Sequence, residues 1–181
     1  FGGKLPAFVR TQAALAALPY LGDVAALEWA VHEVYHEADE ERLDVDALAH
    51  VPADVQARIR LHLQLATRFV ASPHPVLAIW RANRAEVDDD AIAPVSLDQG
   101  GVRLLVARSD LEVEFRVLAA GEERFLRAVA QGLPLAAAVP AALAVDAGFD
   151  FTATLARHVA LGTFRAWSLA DGDVAAPGAA R

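Results

Sequence analysis

The residues with the clearest chemical potential lie between His32 and His36, where the sequence reads H-E-x-x-H, the pattern of zinc peptidases. Histidines four residues apart share one face of an α-helix, so both imidazoles can bind a zinc ion while Glu33 polarises a water molecule. Zinc also needs a third protein ligand, and the extended pattern with Gly and a third His is absent from the sequence. We therefore predict a solvated or partner-facing helix surface, with a catalytic or incidental metal site as the alternative.

The helix that carries this pattern is predicted from its spacing of apolar residues. Asp23 follows Gly22 and occupies the predicted N-cap position. Glu28, His32 and His36 form a stripe that lies off most of the apolar face. The apolar stripe that faces a core consists of Val24, Leu27, Val31, Val34 and Ala38.

Other catalytic and ligand-binding motifs are not supported. The chain has no Cys, so neither disulfides nor thiol catalysis are available. The serines lie in no nucleophile-elbow pattern. No Lys-Ser/Thr follows Gly100–Gly101, so that pair is a turn rather than a phosphate-binding loop. The acidic run Glu86–Asp90 lacks the glycine and terminal glutamate of a calcium loop and is predicted to be a linker.

Composition indicates one or two domains with substantial apolar cores. Of the 181 residues, 55% are hydrophobic, and the net charge of −8 disfavours nucleic acid as a partner. No apolar run is long and uncharged enough to span a membrane, and no signal-peptide pattern is present, which predicts a cytoplasmic protein. The chain has no Met and begins at Phe1, so we expect that an N-terminal segment precedes it.

The first half of the chain is predicted to be mainly helical. Alternating apolar residues in Ile59–Leu65 predict one strand, on which His62 points toward solvent. Ser72–Pro73–His74–Pro75 breaks the chain, because each proline disfavours helix in the residue before it. The other predicted helices or helical turns are Phe1–Leu18, Asp44–His50 and Val76–Asn83.

The second half is predicted to place strands before helices, with Arg108–Ser109–Asp110 as the turn of a hairpin. The predicted strands are Ile92–Leu97, Val102–Ala107 and Leu111–Val117. The predicted helices are 121–130, 134–144 and 150–161, and Phe164–Leu169 is a candidate returning strand. This is the layout of a winged-helix-like domain. We therefore expect an α+β fold with a helical domain at 1–86, a winged-helix-like domain at 91–170 and a flexible tail at 171–181.

Three features together resemble one protein family. They are Leu18–Leu21 with Leu27–Ala30, the run Ser72–Val76 with Ile79–Ala82, and the strand–strand–three-helix order of the second half. On these features, residues 1–170 are similar to the HvfC/BufC-type peptide-modification chaperones. That family includes the methanobactin-type partner proteins, and its N-terminal region carries an older label as a DNA-binding domain.

The resemblance implies a non-catalytic accessory protein in the biosynthesis of ribosomally made, modified peptides, without a cofactor of its own. Family members pair, as heterodimers, with a multinuclear iron-dependent oxidative enzyme that modifies cysteines in a precursor peptide. The partner protein helps to capture the leader of the precursor and positions the core for the enzyme. The iron then belongs to the partner enzyme, and the second half of this chain is the expected leader-recognition module.

A physical mechanism for leader binding is the addition of an extended peptide to an exposed sheet edge. The candidate edge is Leu111–Val117, and the third predicted helix is expected to line the same groove. The candidate peptide-binding residues are Leu111, Val113, Phe115, Val117, Phe151, Leu155 and Val159, each of which is also a candidate core residue. Because aromatic residues anchor interfaces, the candidates for docking the enzyme are Trp29, Tyr35, Pro73, His74 and Trp80.

The predicted winged-helix layout leaves a DNA-binding regulator as an alternative. Such a domain presents its third helix to the major groove. Here that helix, 150–161, carries one Arg and no Lys, and the hairpin turn offers Arg108 beside Asp110. Phosphate contacts supply most non-specific affinity for DNA, so this surface is poorly suited to that role.

Overall fold

The computed structural model describes residues 2–83, 94–109 and 112–170, which form an α+β fold with antiparallel strands. The helices are α1 (Leu5–Thr11), α2 (Leu21–His36), α3 (Val45–Ala49), α4 (Val76–Ala82), α5 (Ala120–Ala130), α6 (Leu135–Leu143) and α7 (Phe151–Ala160). The strands are β1 (Ile59–Leu63), β2 (Thr67–Ser72), β3 (Val102–Ser109), β4 (Glu112–Val117) and β5 (Phe164–Leu169). Short 3-10 turns cover Gly2–Lys4, Ala13–Leu15, Gln56–Arg58 and Leu97–Gln99.

The chain forms two compact units, each made of two separate segments. The first unit contains residues 1–37 and 66–118, and the second contains residues 38–65 and 119–181. These units do not follow the consecutive division that the sequence favours, because the segments on both sides of residues 86–91 belong to the first unit. The predicted linker Glu86–Asp90 and the predicted tail 171–181 lie outside the described residues.

The first unit is built on a three-stranded antiparallel sheet of order β2-β3-β4, which packs against α2. β2 pairs with β3 from Thr67 opposite Ala107 to Ser72 opposite Val102. Burial of apolar surface, at about 25 cal/mol per Å², holds the helix on the sheet. The buried core consists of Leu27, Ala30, Val34, Ala66, Val70, Val76, Leu77, Leu104 and Val106.

The second unit pairs β1 with β5 and packs α5 and α6 on each other and on β1. Gly162 has φ +63°, a left-handed conformation that suits glycine and allows the chain to leave α7 before β5 begins. The core of this unit includes Ile59, Leu61, Phe125, Leu126, Val129, Ala138, Ala142 and Phe164, all of which are buried.

Most predicted elements are confirmed, but the predicted helix Phe1–Leu18 is wrong. α1 ends at Thr11, Gln12 is extended with ψ 110°, and a 3-10 turn follows. The hydroxyl of Thr11 donates to the Phe8 carbonyl at 2.7 Å, and the Gln12 amide donates to the same oxygen at 3.4 Å. Such local side-chain bonds compete with the helical pattern and favour its end.

Two further expectations for local structure are corrected. Tyr20, not Asp23, is the N-cap of α2, and Asp23 lies in the first turn, where its carboxylate accepts hydrogen bonds from Arg10 at 2.6 Å and from Ser72 at 2.7 Å. The described part of the predicted strand Ile92–Leu97 is not a strand, since a 3-10 turn begins at Leu97.

The sequence pattern does not reveal β2. Its buried side carries Arg68, Val70 and Ser72, so polar residues interrupt the apolar alternation that marks a strand. Those polar groups have partners in the first unit, because Arg68 pairs with Glu33 and Ser72 donates to Asp23.

Candidate functional site

The second unit contains an apolar cavity of about 390 Å³, formed by α3, β1, the start of α6 and one face of α7. Most lining residues are apolar, and the polar ones are Gln56 and Thr152. The Gln56 amide already donates a hydrogen bond to the Val51 carbonyl at 3.1 Å. The cavity volume lies within the range of about 300–1,000 Å³ that is typical of ligand sites, so the cavity suits apolar groups.

α7 supplies one wall of this cavity. Asp150 caps the helix, because its carboxylate accepts the Ala153 N–H at 2.9 Å. Phe151, Leu155 and Val159 are spaced four residues apart, lie on one face, and are half-buried. These three predicted peptide-binding residues therefore line one cavity.

β4, the other predicted wall of the peptide groove, belongs to the first unit. Val113 and Phe115 pack against the core of that unit, and the Phe115 ring centre lies 4.8 Å from that of Trp80. Val117 is exposed, and Leu111 lies outside the described residues. The predicted groove residues are therefore not brought together within one unit. Ile59 and Leu61 of β1 line the cavity with α7 instead.

A buried polar network connects α7 with the beginning of α5. His158 Nε2 lies 2.9 Å from Oε1 of Glu122, and its Nδ1 lies 2.9 Å from Oγ1 of Thr163. An ionised carboxylate only accepts, so Nε2 carries a proton and donates it to Glu122. Arg157 donates to the same carboxylate oxygen at 2.9 Å, and the other oxygen accepts the Ala119 N–H at 3.2 Å.

The partners of Glu122 keep this buried carboxylate charged. Burial alone would raise the pKa of Glu122, but hydrogen bonds from His158 and the Ala119 N–H offset that effect, together with the positive charge of Arg157. The pKa of Glu122 is consequently held below its ordinary value of 4.5. The side chain is ionised at neutral pH and completes the hydrogen bonding of His158.

The order Thr163, His158, Glu122 resembles a nucleophile, base and orienting acid, but the network is closed to substrates. His158 is 0% exposed and Thr163 is 1% exposed, so the arrangement holds elements together. Sequence reasoning missed these residues. One feature of the sequence could have predicted the network: His158 lies three residues after Leu155 and seven after Phe151, on the apolar face of α7. An imidazole buried on that face needs hydrogen-bond partners.

Among the predicted enzyme-docking residues, Tyr35 is the most open. Its side chain is 58% exposed, and its ring centre lies 5.2 Å from that of His36. Trp29 is half-buried, and Gly2 packs so closely on the indole that a side chain at that position would clash with it. Tyr35 thus provides accessible aromatic surface on α2, whereas Trp29 is partly covered.

The remaining docking candidates have different surroundings from Tyr35. Trp80 packs against the core of the first unit, and Pro73 is exposed. His74 is half-buried, with its ring centre 6.4 Å from that of Tyr20. Tyr20 and Tyr35 mark opposite ends of α2, which a rise of about 1.5 Å per residue places roughly 22 Å apart.

The H-E-x-x-H segment does not have the arrangement of a peptidase centre. Arg68 donates to Glu33 at 3.1 Å and to Glu37 at 3.0 Å. Burial alone would lower the pKa of Arg68, but these carboxylates more than offset it and raise that pKa. Within residues 2–83, 94–109 and 112–170, no three His, Cys, Asp or Glu side chains are grouped to hold a metal ion.

Comparison with known proteins found no matching family model, no matching curated protein and no matching solved structure. Among the residues that the structure describes, none of the helices combines the length and the apolar character needed to cross a membrane.

Proposed function

We propose that this chain is a non-catalytic partner protein that binds the leader of a ribosomal precursor peptide. In this role it presents the precursor to an iron-dependent oxidative enzyme for cysteine modification. The observation that carries the peptide-binding part is the apolar cavity beside α7, which is lined by the three predicted helix residues Phe151, Leu155 and Val159. The enzyme and its iron enter from the family resemblance of the sequence.

The lining of the cavity favours an apolar anchor on the peptide. Ile59 and Leu61 contribute apolar side chains from β1, and Leu155 contributes one from α7. Well-packed apolar anchors supply most of the binding energy in many peptide and protein interfaces. A leader segment with one or more large apolar side chains fits this chemistry better than a polar or highly charged segment.

The outer edge of β4, which belongs to the first unit, is a separate candidate site for an extended peptide. Within the described residues β4 is an edge strand, and β3 is its partner. Unpaired backbone groups on an edge strand can form main-chain hydrogen bonds to an extended peptide. Val117 is 56% exposed and offers a side-chain contact at the end of that edge.

The proposal also includes a winged-helix-like leader-recognition region and a surface on α2 that docks the enzyme. The winged-helix-like arrangement of residues 91–170 is proposed on the chain order β3, β4, α5, α6, α7 alone, since β3 and β4 belong to the first unit and α5 to α7 belong to the second. The exposed ring of Tyr35 supports an enzyme-docking role for the end of α2. A solved structure of the complex between this chain, the enzyme and a leader peptide would test both parts.

Charge argues against the alternative of DNA binding. α7 carries Arg157 as its one arginine and has no lysine. The Arg157 guanidinium pairs with Glu122 at 2.9 Å, which offsets its charge. A helix with this surface provides little attraction for phosphates.

The direct test is a binding titration of the full chain with fluorescein-labelled peptides that span the precursor encoded beside its gene. We expect Leu155→Asp to weaken binding by about tenfold or more, because a charge placed in an apolar cavity is costly. Leu143→Asp is the matched control, since Leu143 lies on α6, is 43% exposed and does not line the cavity. Equal affinity in both variants, or no binding by the unmodified chain, would contradict peptide binding at this site.

A separate test addresses the proposed enzyme partner. The full chain is purified together with the products of neighbouring genes, and each component is analysed for metals. We expect iron in a co-eluting partner that this chain retains through several columns. Iron-free partners, or the absence of any stable complex, would contradict the enzyme-partner part and leave the peptide titration as an independent result.

A further inference from the structure

The outer face of α2 carries a row of aromatic rings that the proposed peptide cavity does not use. The ring centres of Trp29 and His32 lie 5.0 Å apart, and those of His32 and His36 lie 4.4 Å apart. Both histidines are exposed, on an α-helix of 16 residues. The helix therefore presents two exposed imidazoles in contact, with their ring planes at 89° to each other.

The separation of these imidazoles suits binding to one metal ion. Metal–nitrogen bonds of about 2.0–2.1 Å place the centres of two adjacent imidazole ligands roughly 4.5–5 Å apart. The observed 4.4 Å is close to the short end of that range. Exposed side chains change rotamer readily, so small torsional changes can direct one nitrogen of each ring to a common ion.

The ring nitrogens of both residues are available for such an ion. Within the described part of the chain, neither the His32 nor the His36 ring forms a hydrogen bond. By contrast, His50 bonds to a backbone carbonyl, His62 to a serine hydroxyl and His158 to a carboxylate. Among divalent ions, Cu²⁺, Ni²⁺ and Zn²⁺ are those that imidazole ligands suit best.

The neighbouring carboxylate does not complete a hydrolytic centre. Glu33 accepts a hydrogen bond from Arg68 at 3.1 Å, so its charge is already paired with a guanidinium. A general base must be placed to take a proton from metal-bound water, and a carboxylate held by a guanidinium is poorly suited to that step. In H-E-x-x-H, His32 and His36 are therefore the candidates for metal binding, whereas Glu33 is held by Arg68 and is poorly suited to act as the base.

We propose that His32 and His36 form a two-histidine site for a divalent ion such as Cu²⁺, Ni²⁺ or Zn²⁺, without peptide hydrolysis. Water or a group from a docked partner fills the other coordination positions. The affinity follows the usual order for nitrogen ligands, with Cu²⁺ bound more tightly than Ni²⁺ and Mn²⁺ bound weakest of the three. This site lies in the first unit and does not depend on the peptide-binding proposal.

Calorimetric titration of the full chain with Cu²⁺, Ni²⁺ and Mn²⁺ in a non-chelating buffer tests the proposal. Because two linked ligands bind with an effective-concentration advantage, His32→Gln or His36→Gln should each lower Cu²⁺ affinity by roughly tenfold or more. His50→Gln is the matched control, since it also removes an exposed histidine but leaves the pair intact. Circular dichroism confirms that the three variants fold alike.

Electron paramagnetic resonance of the Cu²⁺-loaded chain gives a second readout. We expect coupling to two imidazole nitrogens in the unmodified chain and to one in each single variant. Unchanged affinity in both variants, or an equal loss in His50→Gln, would overturn the site. If the Zn²⁺-loaded chain cleaves a casein substrate and Glu33→Gln stops cleavage, the exclusion of hydrolysis is wrong.

Discussion

β4 and α7 both carry regularly spaced apolar side chains, yet these side chains have different surroundings. In β4, Val113 and Phe115 are half-buried, but the side that they share packs against the buried core of the first unit. In α7, Leu155 and Val159 stay half-buried beside an open cavity. The comparison teaches that periodicity identifies the apolar side of an element, whereas distant segments decide whether that side is covered.

The covering segments differ in size between the two regions. The apolar side of β4 meets the Trp80 ring, which lies 4.8 Å from Phe115, and it also meets α2, a helix of 16 residues. Across the cavity from α7 stands α3, which has only 5 residues and leaves Val45 48% exposed. A helix this short buries little surface, so an opening remains for a ligand.

The largest expected effect is the difference in free energy of unfolding between a variant of β4 and a variant of α7. Phe115→Ala should lower the free energy of unfolding by about 3 kcal/mol, because it removes a large half-buried ring that packs against the core and against Trp80. Leu155→Ala should lower it by only about 1 kcal/mol, since the leucine side chain is smaller and borders the open cavity. Urea unfolding measures both values.

Peptide affinity should show the reverse order in the same two variants. We expect folded Phe115→Ala to bind a leader peptide nearly as well as the unmodified chain, and Leu155→Ala to bind it more weakly. Equal losses of stability in the two variants would contradict the distinction between the apolar side of β4 and that of α7. A larger loss of peptide affinity in Phe115→Ala than in Leu155→Ala would contradict it as well.

A second prediction concerns what holds α7 in place. His158→Ala should lower the free energy of unfolding by about 2 kcal/mol, because Glu122 and Thr163 lose a buried hydrogen-bond partner. Leader-peptide affinity should fall too, since the network fixes the helix that lines the cavity. His62→Ala is the control, because His62 is half-buried and has one hydrogen bond, to Ser168. This substitution should lower the free energy of unfolding by less than half as much as His158→Ala. Equal decreases in the free energy of unfolding would contradict a special role of the His158–Glu122–Thr163 network in holding α7.

Local signals in the sequence were sufficient to predict most elements but not their partners. The alternation predicted in Ile59–Leu65 and the helix predicted at 150–161 each depend on neighbouring residues, and the structure has β1 at Ile59–Leu63 and α7 at Phe151–Ala160. β2 was hidden, because its buried side includes Arg68, whose partner Glu33 lies 35 residues away. His158 and Glu122, 36 residues apart, illustrate the same limit for the site. Pairs this distant have no local pattern, so sequence reasoning found the face of α7 but not the network behind it.

The smallest expected effect is the response of the α7 region to acid. The pKa of Glu122 is lower in the folded chain than its ordinary value of 4.5, so the unfolded state binds the proton more readily. The stability contributed by this carboxylate is therefore fully present above the unfolded pKa, and it is lost as pH falls through the folded pKa.

Glu122→Gln isolates this effect, because glutamine keeps the size of the side chain and removes its titration. The unmodified chain should lose stability more steeply than Glu122→Gln as pH falls below about 4.5, as measured by urea unfolding at each pH. Val113 and Phe115 carry no ionisable group, so Phe115→Ala should shift the whole stability curve without changing its acid slope. Parallel acid slopes for Glu122→Gln and the unmodified chain would show that the charge of Glu122 does not support α7. A flattened slope in Glu122→Gln alone would show that polar pairing helps to hold α7, whereas apolar packing holds β4.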